Sequence, residues 1–354
     1  MQTYHDITVF NAITKLRILE KELPPYCKYF FNAKANRLEP RSRYAYAIDF
    51  KIFFEFVQQV NPLYKNTPIK DIPATAIEQM NARDIDEYMA FLETYSIDGV
   101  HRTNGESGKG RKLASIKSLC KYLVRQNIIS RNPAELVESP KSHKKDILAL
   151  SDNETEKLFN IVETAQGMKS HQKKIQETLR LRDYALLTLF LGTGIRVSEL
   201  VGLNVKDIDF NEKLAYVIRK GGDKDHVYLS EEIIDALKEY VFGNISTVGS
   251  RLNLCRSNDE QALFISRKRK RLSVRSVQVL LKKYGAIALD GKKVTPHSLR
   301  KTYGTKLYLE SNDIKLVADT LGHASIVTTQ EHYIATSEEH KKNAAISIRN
   351  KQHD

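Results

Sequence analysis

The chain is poor in cysteine and has no stretch fit to cross a membrane. Cys27, Cys120 and Cys255 are its three thiols, far apart and without a CxxC pair. That spacing argues against structural zinc and against a disulfide framework, and it fits a reducing compartment. The N-terminus has no apolar h-region and does not read as a signal peptide. The longest apolar run, around Ala185–Leu191, falls well short of the ~20 residues a spanning helix requires. Internal repeats and low-complexity tracts are also missing. These absences predict a soluble, cytoplasmic protein with no membrane partner.

Positive charge is what the chain has in excess. Its 354 residues hold 56 Lys and Arg against 43 Asp and Glu, a formal net charge of +13. A polyanion is the natural partner for such a balance. The length suffices for two domains with sizeable cores.

Periodicity predicts mostly helices. Val9–Leu23 is weakly amphipathic and ends at Pro24-Pro25. Arg41–Val60 carries Tyr44, Ile48, Ile52, Phe53 and Phe56 at helical spacing. Asn81 N-caps a helix running to about Tyr95. His101–Gly110, polar and glycine-rich, reads as a loop. Arg111–Gln126 reads as a helix with Leu113, Ile116, Leu119 and Leu123 inward. Lys112, Lys117, Lys121 and Arg125 fall on its other faces. From His101 to Lys145 there are eleven Lys/Arg and three acids. A solvated face is one reading; a DNA-facing helix is the favoured one, because the excess is local. Residues 1–140 form the first predicted domain, with 1–40 as an extension, and 141–149 a linker. Residues 150–336 form the second domain and 337–354 a tail.

In the second domain, Leu181–Leu191 is apolar and breaks at Gly192-Thr193-Gly194. A helix carrying Arg196 and Glu199 follows. Short strands are expected at Val205–Phe210, Ala215–Arg219 and His226–Leu229, with Gly221-Gly222-Asp223 as a turn that presents Lys220. Phe264–Tyr284 holds eight Lys/Arg, among them Arg267, Lys268, Arg269, Lys270, Arg271 and Arg275, and no acid. Contact with a phosphate backbone is the expected role. Thr295 reads as an N-cap and Pro296 as a first helical residue, which puts His297 and Arg300 on one face. A helix over Ile314–Leu321 should stop at Gly322, just before His323. A further helix start at Thr328 would carry Tyr333 in its second turn.

Together Arg196, Lys220, His297, Arg300, His323 and Tyr333 suit phosphodiester chemistry. Guanidinium forks match the non-bridging oxygens and stay charged, so two can do what a metal does elsewhere. A lysine on a hairpin can protonate the leaving 5′ oxygen. A phenol flanked by imidazole and cations is a usable nucleophile. Each residue alone has a plainer reading; Arg196 and Glu199, for instance, also fit an ordinary i,i+3 ion pair.

The segments Leu181–Leu187, Thr193–Leu200, Thr295–Arg300, Leu321-Gly322-His323 and Thr328-Thr329-Gln330 closely resemble the tyrosine recombinase (lambda-integrase) family, the Xer recombinases most. Lys112–Leu123 and Asn132–Lys141 resemble the end of that family's core-binding domain. The resemblance covers roughly residues 40 to 335. It implies a mainly α fold: a helical, SAM-like core-binding domain, then a mostly helical catalytic domain with a small antiparallel sheet. It implies Arg196 and Arg300 as phosphate clamps, Lys220 as general acid and His297 as an aid to proton transfer. His323 would hydrogen-bond the scissile phosphate, and Glu199 would support the site from behind. Tyr333 would be the nucleophile, forming a 3′-phosphotyrosyl bond with no cofactor, metal or ATP.

Two departures stand out. His323 and Tyr333 are ten positions apart where the family usually has nine. The hairpin lacks the family's basic residue four or five after Lys220, which leaves Lys224 as a weaker alternative acid. The expected substrate is a double-stranded recombination site, bound by a homotetramer or by a heterotetramer with a related recombinase. Strand exchange would pass through a Holliday junction, with a DNA translocase as a candidate activator. Chromosome dimer resolution is the favoured role, and integration or excision of a mobile element the alternative. Outside this class stand a non-catalytic architectural DNA binder and a metal-dependent nuclease built on Asp207 and Asp209.

Overall fold

The structure, a computed structural model, describes residues 3–97, 99–141, 149–243, 246–255 and 261–322. The chain folds as two compact units, residues 1–145 and 146–354.

The first unit is helical. It comprises α1 (Tyr4–Leu19), α2 (Pro25–Ala33), α3 (Pro40–Val60), the single turn α4 (Thr75–Glu78), α5 (Ala82–Phe91), an antiparallel pair β1 (Thr94–Ile97) and β2 (Val100–Thr103), and α6 (Glu106–Arg125). Prolines at the first positions of α2 and α3 start those helices, because the N–H that proline lacks has no partner there. Asn81 caps α5 in a reciprocal box with Asp84. The core is aromatic: Phe30 meets Phe50 and Tyr122 edge to face, and Phe53 meets Tyr88 the same way. Among the described residues, two charged side chains are buried in this unit, Asp49 and Lys112. Asp49 is fully buried, and Arg111 donates two hydrogen bonds to its carboxylate.

Two expectations change here. The predicted loop over His101–Gly110 is instead β2 followed by the first turn of α6. Gly108, one of the glycines that suggested a loop, makes room for Asn104. A Cβ at Gly108 would sit 3.1 Å from Asn104 Oδ1. That side chain also donates to the Leu92 carbonyl and accepts from Lys112 Nζ. Tertiary contacts thus outweigh the ~1 kcal/mol that a helical glycine costs. The α5 helix ends at Phe91, short of Tyr95, because Thr94–Ile97 pairs with β2.

The second unit opens with α7 (Asp152–Thr164), α8 (Ser170–Glu177), α9 (Arg180–Thr193) and α10 (Val197–Gly202). A three-stranded antiparallel sheet follows: β3 (Ile208–Asp209), β4 (Leu214–Ile218) and β5 (Lys224–Tyr228). Then come α11 (Glu231–Phe242), α12 (Arg251–Cys255), α13 (Val274–Ala288), α14 (Pro296–Ser311) and α15 (Ile314–Leu321). The α9 helix is the central post, with Ala185, Leu186, Leu187, Leu189 and Phe190 fully buried. Its apolar composition on every side is what a helix surrounded by others requires. Beneath it lies a buried polar knot. Asp183 accepts from Arg182 and from the Tyr284 hydroxyl, and Arg182 Nη1 donates to the Ile265 carbonyl. Burial, with Asp183 adding to it, pushes the Tyr284 phenol well up. The knot joins α9 and α13 to the base of the basic segment.

Residues 205–207 form a turn of 3-10 helix, not the expected strand, and only Ile208–Asp209 pair with β4. Asp207 accepts the Asn204 N–H, and Asp209 accepts those of Asn211 and Glu212. Both carboxylates cap turns.

Candidate active site

Two helix ends in the second unit are built by left-handed glycines. Gly194 ends α9 at φ +60. A Cβ there would collide with the Tyr303 ring and come within 2.9 Å of Leu321 Cδ2. Gly322 ends α15 at φ +61, with Arg219 Nε 3.2 Å from where its Cβ would lie. Only glycine accepts both the backbone angle and the close approach.

The end of α15 gathers three arginines. Arg219 Nη2 donates to the Thr320 carbonyl at 3.3 Å, Arg300 Nη2 to that of Leu321, and Arg196 Nη2 to that of Gly322 at 2.7 Å. Consecutive carbonyls at a helix C-terminus carry partial negative charge and lack intrahelical donors, so they attract cations. Arg300 is also fixed by Nη1, which donates to the Gly194 carbonyl at 2.7 Å. Its helix starts as the sequence predicts: Thr295 caps it in a box with Ser298, and Pro296 is the first residue. His297, one residue further along, is exposed, while Arg300 is buried.

Arg196 is the N-cap of α10. Its backbone N–H donates to Glu199 Oε2 at 2.8 Å, and its Nη1 to Glu199 Oε1 at 2.9 Å. The i,i+3 pair that was the plain reading therefore exists. It coexists with the clustering of Arg196 and Arg300, 104 positions apart in sequence, on adjacent carbonyls. Glu199, with its side chain 2% exposed, also accepts from Arg219 Nη1 at 3.1 Å. One buried carboxylate thus serves two guanidiniums. Arg196 uses two of its five N–H groups among the described residues and keeps 29% of its side chain exposed.

Lys220 is exposed at the start of the turn between β4 and β5. The turn closes through Arg219 N–H on the Asp223 carbonyl, at 2.7 Å. Asp225 on β5 accepts from Arg219 Nε at 2.8 Å. Burial opposes ionisation of Asp225, but hydrogen bonds from Arg219 and the His226 N–H outweigh it and hold the carboxyl below its usual range. No motif singled out Arg219. Its available signal was an arginine directly before the candidate lysine in a hairpin. His323 and Tyr333 lie outside the described residues.

The basic candidates divide by what they touch. Arg267, Lys268, Arg269 and Lys270 are exposed at the tip of a tight turn closed by Ser266 and Lys270, and Arg275 is exposed just beyond it. Arg271 instead faces in. Its Nη1 donates to the carbonyls of Val201, Gly202 and Leu203, and its Nη2 to Asn204 Oδ1. On α6, Lys121 and Arg125 are exposed, whereas Lys117 Nζ donates to the Val137 carbonyl. Lys112 is a correction to the expected outward set: it is 5% exposed, with Nζ on Asn104. Burial pulls its ammonium pKa down, partly offset by Asp49.

With this geometry in hand, similarity to known proteins decides the family. The phage integrase family model matches residues 148–340. The chain is 34% identical over 334 residues to the tyrosine recombinase XerC of Caldanaerobacter subterraneus subsp. tengcongensis, covering 92% of this chain and 85% of that protein. This chain belongs to the phage integrase family of tyrosine recombinases. It is 34% identical over 250 residues to XerC of Myxococcus xanthus, covering 70% and 77% of the two chains. Among solved structures, the recombinase is similar in fold to XerH bound to palindromic difH in a post-cleavage complex. That match has a TM-score of 0.61 at 19% identity and covers 91% and 83% of the chains. The Tn1549 transposon integrase in complex with circular intermediate DNA gives 0.59 at 19%, covering 87% and 94%. The tyrosine recombinase fold expected from the motifs is therefore present, and the chain is an enzyme of DNA cleavage and religation, of Xer type. Among the described residues no helix is long and apolar enough to cross a membrane.

Proposed function

We propose that this recombinase cleaves one strand at a time with Tyr333 and reseals it through a Holliday junction. The Tyr333 oxygen attacks the scissile phosphorus, the bond from phosphorus to O5′ breaks, and Lys220 gives the leaving oxygen its proton. His297 takes part in moving the phenol proton, and His323 bonds the phosphate. Arg196 and Arg300 bind the non-bridging oxygens, whose charge grows in the transition state. The 3′-phosphotyrosyl bond conserves the energy of the broken one, so resealing runs the same steps backward without ATP.

The observation that carries this reading is the seating of Arg196 and Arg300 on adjacent carbonyls at the end of α15. It supports a paired phosphate clamp immediately before position 323. Tyr303, on the same helix as Arg300, is a poor rival nucleophile, because burial and then Glu310 push its phenol up. The exposed cations Lys121, Arg125, Arg267, Lys268, Arg269, Lys270 and Arg275 are proposed to meet the DNA backbone. Lys117 and Arg271 would support those faces from within. The clamp and catalytic domains are proposed over residues 1–140 and 150–336, joined by 141–149. The tail, 337–354, is proposed to dock on a neighbouring subunit of a tetramer. Resolution of chromosome dimers in the cytoplasm, on the nucleoid, is the favoured role, supported by the XerC relatives. A mobile-element integrase is the second reading, supported by the fold likeness to the Tn1549 enzyme.

The test is a nicked half-site that traps the covalent intermediate. Wild type should give an SDS-stable protein–DNA adduct in EDTA, and Tyr333→Phe should give none. An adduct that survives the substitution would assign the nucleophile elsewhere.

A further inference from the structure

The Arg219 side chain holds together the parts that must meet at one phosphate. Its Nε donates to Asp225 on β5, its Nη1 to Glu199 on α10, and its Nη2 to the Thr320 carbonyl on α15. Its own N–H and C=O close the hairpin turn, on the Asp223 carbonyl and the Gly222 N–H. The residue is 9% exposed, and its bond to Glu199 is buried, whereas Asp225 keeps 41% of its side chain exposed. Charged hydrogen bonds of this kind, formed in a planar fork, fix direction as well as distance. The neighbouring residue is Lys220, exposed on the same turn.

A lysine has four rotatable methylenes and loses much rotamer freedom when it is aimed. The less its backbone moves, the smaller the search left to the side chain. Here that backbone is pinned one bond away. The pin reaches the carboxylate that holds Arg196, and also the helix end that holds Arg196 and Arg300. The sheet order β3-β4-β5 leaves β5 as an edge strand, and Arg219 is what ties it through Asp225 to Glu199 on α10 and to the end of α15.

We infer that Arg219 is a positioning residue for proton delivery: it locks the Lys220 hairpin to Glu199 and to the end of α15, so that the lysine faces the oxygen leaving the clamped phosphate. This rests on the reading of Lys220 as general acid. Asp225 is the second half of the device, tying β5 to the same guanidinium.

The test separates proton delivery from phosphate clamping by changing the leaving atom. A half-site is made with sulfur in place of the bridging O5′ at the scissile phosphate. In cleavage, the bond from the Tyr333 oxygen to phosphorus forms and the phosphorus–sulfur bond breaks. The 5′-thiolate leaves without a proton, since thiols ionise near pH 8.5. Single-turnover cleavage of both substrates is measured for wild type, Lys220→Ala, Arg219→Ala, Arg219→Lys and Asp225→Asn. Lys220→Ala and Arg219→Ala should both lose about 10²-fold on the oxygen substrate, the scale of a misplaced catalytic group. Both should return to within a few-fold of wild type on the sulfur substrate. Arg219→Lys should resemble the alanine variant, because an ammonium cannot reach all three acceptors. Asp225→Asn should show a smaller loss with the same sulfur rescue.

If Lys220→Ala is rescued by sulfur and Arg219→Ala is not, Arg219 acts on the phosphate clamp and the inference is overturned. Wild-type cleavage of the oxygen substrate by Arg219→Ala overturns it too. If Lys220→Ala itself is not rescued, the general-acid reading has failed and the inference goes with it. Should circular dichroism show Arg219→Ala unfolded, Asp225→Asn decides, because its side chain is 41% exposed and its fold should persist. An Asp225→Asn loss equal on both substrates, or no loss, would then count against the inference.

Discussion

Replacing Glu199 with glutamine changes one charge and almost no volume. Glu199 Oε2 accepts two donors, the Arg196 N–H at 2.8 Å and Arg219 Nη1 at 3.1 Å, and Oε1 accepts Arg196 Nη1 at 2.9 Å. Every neighbour on this carboxylate is a donor. An amide has one oxygen, which should take the position with two donors and leave its NH2 facing Arg196 Nη1. Breaking a buried ion pair by removing one partner costs roughly 3–5 kcal/mol. Because 29% of the Arg196 side chain reaches solvent, the lower end applies, about 3 kcal/mol. In a unit of this size each kcal/mol moves the melting temperature ~2–4 °C, so a fall of about 6–12 °C is expected.

Thermal denaturation followed by circular dichroism reads that fall. Adduct formation on the nicked half-site, measured at 20 °C where both proteins are folded, should drop about 10²-fold as the Arg196 fork loses its aim. A double-mutant cycle with Arg219→Gln should show coupling of ~0.5–3 kcal/mol. A melting temperature within a degree of wild type, or purely additive effects, would refute the view that this carboxylate organises both arginines.

Charge removal on α6 should sort by exposure. Lys121→Gln and Arg125→Gln should each lower half-site affinity and reduce the salt slope by about one. Lys112→Met should leave that slope unchanged, as seen in titrations at several salt concentrations. In the basic segment, Arg269→Ala should behave like Lys121→Gln. Arg271→Ala should instead lower stability by about 1–3 kcal/mol, since it removes the donor on the carbonyls of Val201 and Gly202, while that of Leu203 keeps the Leu263 N–H. On acidification, Asp225 should release part of the stability of the second unit. Its folded pKa lies below the unfolded value, so its contribution is complete above ~3.9 and fades as pH falls through the folded value. Asp225→Asn should flatten that limb of an acid titration.

Much of the architecture could be read from residue patterns, and the gaps have definite causes. Capping signals at Asn81, Ser151 and Thr295 gave helix starts that match the structure, because local hydrogen bonds decide them. Strands β4 and β5 fell within a residue or two of their expected places. The failures came where tertiary contacts outweigh local preference. Gly108 and Gly110 read as loop, yet α6 starts at Glu106, where Asn104 ties the start of the helix to the Leu92 carbonyl at the end of α5. Lys112 read as outward, yet Asp49 and Asn104 create a polar place for it inside. Helical periodicity cannot see such partners, since they come from other elements.

At the site, residue types were legible and their connections were not. Arg196, Glu199 and Arg300 could be picked out by motif, but nothing local said that a helix end would seat both arginines. Arg219 was invisible for the same reason: its partners are 6, 20 and 101 positions away.

The charge balance of this cluster supports the proposal that it is a site and not only a brace. Arg196, Arg219 and Arg300 bring three positive charges, and Glu199 and Asp225 return two negative ones. The surplus is one charge, set against helix carbonyls that carry only partial negative charge. Were the network purely structural, a third carboxylate or an apolar replacement would be the cheaper solution. Instead Arg219 spends its fork on protein groups, while Arg196, among the described residues, uses two N–H groups of its guanidinium and keeps an exposed edge. A phosphate arriving there would meet a cation already aimed by Glu199 and the Gly322 carbonyl, so little reorganisation is left for the reaction itself. On the proposed reading, the division of labour between a spent arginine and a half-spent one turns an ion-pair network into a binding surface for a dianionic transition state.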